Sequence, residues 1–418
     1  MTLDKNPIEV LVVGGGMVGA ATALGLAQAG MRVHVLEKNS APAQLTDSAP
    51  FHPRVSALTR ASEHWLRDLG AWPAIEAYRL TPFRAMHVRP KASTDWMTLD
   101  SASLAEPNLG HIVENHAVQT ALWSQIQAAQ SSSPTRLTYA ASALARLEKV
   151  GAHWVAETLD GEILKPQLVV AADGALSPTR AMAGIEVDTH EYGQAAIVGC
   201  VETEHANQQS CWQLYQDQGP FAYLPLGTHC QSIAWYLPVS EMDAVLSLSD
   251  AAFANGVTQA SQGLLGEVTA VGERAGFPIV RRHAQSYVQD GLALVGDAAH
   301  TIHPQAGQGV NLGFLDASAL VEVVTQARQT HPNHWMRRSV LRRYERWRRG
   351  DNAVVQRAME GFEWLFADAH PLAQAMRQQV MPSMARWSGP KQWLISQALY
   401  GRGRLPKACE APGTLSDK

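Results

Sequence analysis

Short apolar runs, each closed by a glycine or an acidic residue, set the framework of this chain. Residues Glu9 to Val13 are short, apolar and β-branched, which predicts a buried strand. The Ala/Leu-rich stretch from about Val18 to Ala29 predicts a helix, and Gly30 stops it. Met31 to Leu36 predict a second strand, ending in Glu37. Strand, helix and strand in succession make a βαβ unit, hence a parallel sheet with a right-handed crossover. Two further apolar strands are expected, Leu168 to Ala172 before Asp173 and Gly174, and Leu292 to Val295 before Gly296 and Asp297. A helix follows from about Gly309 to Gln329. The stretches from about Leu80 to Leu104 and from about Glu186 to Phe277 differ. They alternate polar and apolar positions, as in Phe221 to Leu224 and Ser232 to Leu237, which suits strands with two unlike faces. They read as one sheet domain inserted into a nucleotide-binding domain. The expected division assigns 1–79, 105–185 and 278–370 to the nucleotide domain and 80–104 and 186–277 to the sheet. Residues 371–418 are expected to form a helical tail.

Composition narrows the classes. Of 418 residues, 46% are hydrophobic and 17% charged, ample material for a core. The net charge of -4 gives no basic field, so nucleic acid is excluded as a partner. Cys200, Cys211, Cys230 and Cys409 are scattered without the spacing of a zinc site or a disulfide framework, and are expected as reduced thiols. The run from Val10 to Met31 has no charge, and Ala27-Gln28-Ala29 imitates a signal-peptidase site. Six glycines, three of them consecutive, and mixed flanking charges (Asp4, Lys5, Glu9) argue instead for a turn and an interior helix.

Gly14-x-Gly16-x-x-Gly19 stands between the first strand and its helix, the context that a dinucleotide site requires. The first glycine permits the turn, the second admits a pyrophosphate to the backbone amides, and the third lets helix and strand pack closely. The helix N-terminus adds unpaired N–H groups and a positive dipole end. Glu37, ending the second strand, stands where a carboxylate can accept from ribose hydroxyls. An adenine dinucleotide is implied, with FAD and NAD still open.

Later motifs make that choice. Val169-Val170-Ala171-Ala172-Asp173-Gly174-Ala175-x-Ser177-x-x-Arg180 resembles the DG motif of flavoprotein hydroxylases. The stretch from Leu292 through Gly296-Asp297-Ala298-Ala299-His300 to Pro304, Gly307-Gln308-Gly309 and Asn311 resembles their GD motif. Arg54-Val55-Ser56-Ala57-Leu58, Val113-Glu114-Asn115 with Gln119 and Leu122-Trp123, and Arg281-Arg282-His283-Ala284 are similar to the branch of that family acting in ubiquinone biosynthesis. The resemblance spans nearly the whole chain. It implies an α/β fold with a Rossmann-like FAD-binding domain of the para-hydroxybenzoate hydroxylase type, an inserted mixed β-sheet substrate domain and the helical tail.

By that resemblance Gly14, Gly16, Gly19 and Glu37 hold the ADP half of FAD, and Arg54 and Gln119 lie along the cofactor. Asp173 with Gly174 flanks the nucleotide, Asp297 meets the ribityl chain, and Gly309 and Asn311 meet the isoalloxazine. Many relatives carry arginine where Gln119 stands. The implied reaction inserts one oxygen atom from O2 into an aromatic ring through a flavin C4a-hydroperoxide, with NAD(P)H as electron donor. The chemistry resides in the flavin, so no catalytic side chain and no metal are expected. His300 and His303 read as packing and capping groups. Tyr223, Trp235 and Tyr236 are the candidate lining of a substrate pocket between flavin and sheet.

The substrate implied is a lipophilic polyprenyl-benzoquinol or polyprenylphenol, and other ubiquinone-biosynthesis proteins are the expected partners. The expected location is cytoplasmic, peripheral at the inner face of the membrane. Arg337, Arg338, Arg342, Arg343, Arg346, Arg348 and Arg349, with Trp335 and Trp347, offer either a face for anionic lipid or a solvated helix paired with acidic residues. The tail residues Trp387, Trp393, Leu394 and Leu399 would cover the substrate entry or contact a partner. Three rival classes remain: a flavin reductase that adds no oxygen, a flavin-binding subunit without activity, and an NAD-dependent enzyme.

Overall fold

The computed structural model describes residues 8–46, 49–89, 94–302, 309–367 and 404–411. A six-stranded sheet carries the nucleotide motifs. Its order is Val288–Gln289, Leu292–Leu294, Leu168–Ala171, Val10–Val13, Val33–Glu37, Leu137–Ala141. All neighbours run parallel except the edge strand Val288–Gln289. Every residue of Val10–Val13, Leu168–Ala171 and Leu292–Leu294 is buried. Both faces of these strands are covered, which is why they read as continuous apolar runs and not as alternations. Parallel direction brings their carboxyl ends, and with them Gly14, Asp173, Asp297 and Glu37, to one edge of the sheet.

The uncharged stretch near the N-terminus is interior. Helix Met17–Gln28 buries every residue from Gly19 to Ala27. Its small side chains let it lie close to helix Gly309–Thr330, where a Cβ on Gly25 would stand 3.1 Å from Val321. Among the described residues no helix is long and apolar enough to cross a membrane.

The second sheet has eight strands, in the order His300–Thr301, Val268–Ala284, Val187–Thr203, Cys230–Pro238, Pro220–Pro225, Ser210–Tyr215, Ala85–Arg89, Met97–Asp100. It is mixed, because Ser210–Tyr215 pairs parallel with Ala85–Arg89 while the rest are antiparallel. One face packs Phe221, Tyr223 and Ile233 against Phe253 and Val257 of helix Asp250–Ala260. The opposite face carries Ala196 and Tyr236.

Two features depart from the expected division. Thr81–Phe83 pairs with Gly110–Glu114, itself paired with Val55–Leu58, so the chain enters the large sheet only at Ala85. Strand Val268–Ala284 runs unbroken past Phe277, and His300–Thr301, just beyond the GD turn, extends the same sheet. The sheet is thereby hydrogen-bonded directly to the segment that carries Asp297. Of the helical tail, residues 371–403 and 412–418 lie outside the described residues, with Trp387, Trp393, Leu394 and Leu399 among them. Residues Lys407–Cys409 form a single turn with Cys409 buried.

Candidate active site

The glycine loop is shaped by contacts that exclude side chains. Gly14 has a φ of +102°, and a Cβ there would lie 2.4 Å from the Ala172 carbonyl oxygen. A Cβ on Gly19 would lie 1.9 Å from the Gly14 oxygen. Gly16 differs, because a Cβ there meets nothing within 4 Å. Gly16 also caps helix Met17–Gln28 without any side-chain hydrogen bond, so open space adjoins uncapped helix amides. That is the cradle a pyrophosphate requires. The Gly15 amide donates to Glu37 Oε2 at 2.5 Å, and the Asn39 amide donates to Glu37 Oε1 at 3.0 Å. Asn39 Nδ2 donates to Oε1 as well, at 3.0 Å; of the roughly four acceptor sites of a carboxylate, about one stays open to a ribose hydroxyl. The Gly15 carbonyl accepts from Trp123 Nε1 at 2.7 Å and from Gln119 Nε2 at 3.2 Å. Gln119 therefore holds the loop that would hold the cofactor.

The DG segment works mainly as a brace. The Asp173 carboxylate accepts from Ser177 Oγ and, at 2.9 Å, from the Thr179 amide. It braces the start of the short helix Pro178–Met182, whose N-cap is Ser177, and these two bonds leave about two of its acceptor sites for a nucleotide. Gly174 follows with a φ of +89°. Arg180 donates to the Ala298 and Ala175 carbonyls at 2.8 and 3.0 Å, tying the DG turn to the GD turn.

The turn Gly296–Ala298 brings Asp297 to the cleft floor, where its side chain is accessible although protein surrounds most of it. Burial pushes its carboxyl above the usual range, opposed by His300, Arg54 and Arg282. Gly309 opens helix Gly309–Thr330, and a Cβ there meets nothing within 4 Å. Asn311, in the first turn of that helix, also ties neighbouring elements together. Its Oδ1 accepts from the Thr59 amide at 3.0 Å and Ser62 Oγ at 2.7 Å, and its Nδ2 donates to the Ala57 carbonyl at 2.8 Å. The side chain is a clasp between three segments, with one Nδ2 hydrogen and the backbone amide outside those bonds. His300 is buried against Asp316, bonded to it through Nε2. His303, Pro304, Gly307 and Gln308 lie outside the described residues.

Between this edge and the large sheet lies a cavity of about 130 Å³. Arg54 and Asn115 line one side, and Ala222, Ala234, Tyr236 and Phe277 the other. A cavity of about 150 Å³ is enough to hold a benzene molecule, so this one has the scale of a single ring. Arg54 is exposed, lines the cavity, lowers the Asp297 carboxyl, and has no ion pair among the described residues. Of the three aromatic candidates only Tyr236 faces the cavity. Tyr223 and Trp235 point to the other face, Trp235 with its ring 6.1 Å from that of Phe253. Successive side chains of a strand alternate faces, so Trp235 points away from the face that carries Tyr236. A larger cleft of about 540 Å³, lined by Trp65, Glu322 and Arg404, involves none of the motif residues. Among the described residues no cluster of His, Cys, Asp or Glu could hold a metal.

Residues 7–358 match the FAD binding domain family. The 3-demethoxyubiquinol 3-hydroxylase of Escherichia coli (strain K12) is 38% identical over 397 residues, which cover 95% of this chain and 100% of that one. Ubiquinone hydroxylase UbiL of Rhodospirillum rubrum is 33% identical, over 88% of this chain and 84% of its own. The crystal structure of p-nitrophenol 4-monooxygenase PnpA from Pseudomonas putida DLL-E4 has the same fold, with a TM-score of 0.76 at 21% identity over 96% of this chain and 100% of that one. The uncapped helix beside Gly16, the remaining acceptor site of Glu37 and the accessible Asp297 together fit FAD. The chain belongs to the FAD-dependent aromatic-ring hydroxylases of the ubiquinone-biosynthesis family.

Proposed function

We propose that this chain hydroxylates the ring of a 3-methyl-6-methoxy-polyprenyl-1,4-benzoquinol, taking the oxygen atom from O2 and the electrons from NAD(P)H. The observation that carries the reading is the ring-sized cavity between Arg54 and the sheet. The Escherichia coli relative supports the substrate assignment, since its name states 3-hydroxylation of demethoxyubiquinol. Bound FAD supplies two-electron chemistry and oxygen activation. The chain supplies position and dryness. Gly14, Gly16 and Gly19 seat the pyrophosphate, Glu37 accepts from ribose, and Asp297 accepts from ribityl hydroxyls. The helix amides at Gly309 would offer donors to negative charge at the flavin's pyrimidine edge. Tyr236 and Phe277 wall the ring from water, which protects oxygen transfer from wasteful peroxide release. Complementation of strains lacking each ring hydroxylase, with mass spectrometry of the quinone intermediates, tests this. Rescue of the 3-demethoxy step with a gain of one oxygen is expected. Rescue of the polyprenylphenol step alone would reassign the substrate, and flavin binding without rescue of either would make the chain a non-hydroxylating subunit.

A second reading concerns the membrane, where a polyprenyl tail resides. In helix Arg338–Ala367 the basic run divides. Arg348 is buried against Asp316, whereas Arg338, Arg342, Arg343, Arg346 and Arg349 are exposed, as is Arg337 just before the helix. Of these six only Arg342 has a carboxylate within reach among the described residues, Glu345 at 3.9 Å. The aromatic residues do not anchor it, because Trp335 is buried and Trp347 lies under Arg404. An unneutralised stripe of this kind suits an anionic leaflet at about 1 kcal/mol per cation. Co-sedimentation with anionic vesicles should fall by about tenfold or more for R342E/R343E, two cations replaced by two anions. Equal sedimentation of the two proteins would dismiss the lipid reading.

A further inference from the structure

One carboxylate grips the GD turn from beneath. Asp316, on helix Gly309–Thr330, is fully buried. Its Oδ2 accepts from the Gly296 amide at 3.3 Å and from His300 Nε2. An ionised carboxylate only accepts, so His300 must present an N–H at Nε2. Oδ1 accepts from Arg348 Nε at 2.9 Å and Asn352 Nδ2 at 3.1 Å. Arg348 is held in turn by Asn352 Oδ1 at 3.1 Å and Asp351 at 3.3 Å. Gly296 and His300 bracket Asp297, so both ends of the segment that presents Asp297 are tied to one oxygen of one side chain. The helix also lies against the turn itself, since a Cβ on Gly313 would stand 3.3 Å from the Gly296 Cα. Arg348 and Asn352, from the next helix, fix the far side of the carboxylate.

We propose that Asp316, backed by Arg348, is a positioning residue that sets the stance of Asp297 and thereby the affinity for FAD. The inference rests on the reading above in which Asp297 meets the ribityl chain. A merely structural buried ion pair would lower fold stability and leave the cofactor's dependence on Asp297 untouched. A positioning residue acts through Asp297, so its effect vanishes when Asp297 is removed.

The test is a double-mutant cycle read by FAD binding to apoprotein, with urea unfolding of each variant alongside. D297A and D316N should each weaken FAD by about tenfold, the worth of a hydrogen bond to a charged group. The double variant should bind FAD within about twofold of D297A alone. A roughly hundredfold loss in the double variant, the product of independent effects, would overturn the proposal. No loss in D297A would instead overturn the ribityl reading, which keeps the two failures apart. D316N leaves the buried Arg348 guanidinium without its anion and could fail to fold. H300A keeps the ion pair and removes one end of the clamp, and the same non-additivity with D297A is expected of it. Additive H300A and D297A effects would count against the proposal equally.

Discussion

G19A is expected to abolish FAD retention, so that the purified protein is colourless. The added methyl would stand 1.9 Å from the Gly14 carbonyl oxygen and 3.0 Å from the Ala172 side chain. Both neighbours directly follow buried strands and their amides are bonded across the sheet, Gly14 to the Leu36 carbonyl and Ala172 to the Val13 carbonyl, so neither can yield cheaply. The helix must lift from the strand, and its N-terminal amides move with it. Affinity for FAD should fall by at least about 100-fold, on the order of 3 kcal/mol, and apoprotein stability should fall as well. G16A separates the two consequences. Its methyl meets no atom of the protein within 4 Å, so the apoprotein should unfold at the same urea concentration as the parent. It would still stand where the pyrophosphate approaches the amides, and FAD affinity should drop. Titration of apoprotein with FAD, followed by flavin fluorescence, checks both. A G19A protein that binds FAD normally would show that the loop is not the pyrophosphate seat.

The parts legible in the sequence are those governed by local pattern. Strands buried on both faces must be apolar throughout, and each ends where the backbone turns, so Val10–Val13, Leu168–Ala171 and Leu292–Leu294 were marked by apolar runs and the glycine or acid that follows. Once parallel, they must deliver their ends to one edge, which placed Gly14, Glu37, Asp173 and Asp297 together. The use made of each side chain was less visible. Asp173 and Asn311 sit in motifs, yet their partners are Thr179 in one case and Ala57, Thr59 and Ser62 in the other. Asn311 and Ala57 are 254 positions apart, and no local pattern reports such a bond.

Arg348 shows a signal that was present and overlooked. Leu341, Tyr344, Arg348 and Asn352 are all buried, spaced by three and four as one helix stripe requires. The arginine at that register had to turn inward among neighbours that face solvent. A buried guanidinium needs a buried anion, which would have pointed to an acid such as Asp316. The sheet gives the reverse lesson. Alternation separates Trp235 from Tyr236, although both stood as candidate lining of one pocket, and nothing in the pattern says which face meets the nucleotide domain. That choice follows from where helix Asp250–Ala260 packs, against Phe221, Tyr223 and Trp235.

The same division of faces yields the second large effect, A222W. Ala222 pairs across the strands with Ala234, and both line the cavity. Two small residues side by side leave the space that a ring would occupy. An indole there must fill it, because the strand beneath is hydrogen-bonded on both sides and cannot retreat. FAD binding depends on the other sheet, so affinity for FAD should stay within about twofold of the parent. Turnover should behave differently. A ring displaced by even an ångström loses the approach that oxygen transfer needs, and kcat/KM for hydroxylation should fall by about 100-fold. Electrons delivered to bound flavin would then leave as hydrogen peroxide, so oxygen uptake should persist without hydroxylated product. W235F, on the opposite face, is the control: it trims a side chain packed near Phe253 and should leave the ratio of product to oxygen consumed unchanged. The measurement is oxygen uptake against product mass for the two variants. If W235F uncouples while A222W does not, the substrate ring lies on the far face of the sheet, and the cavity beside Arg54 is not where hydroxylation occurs.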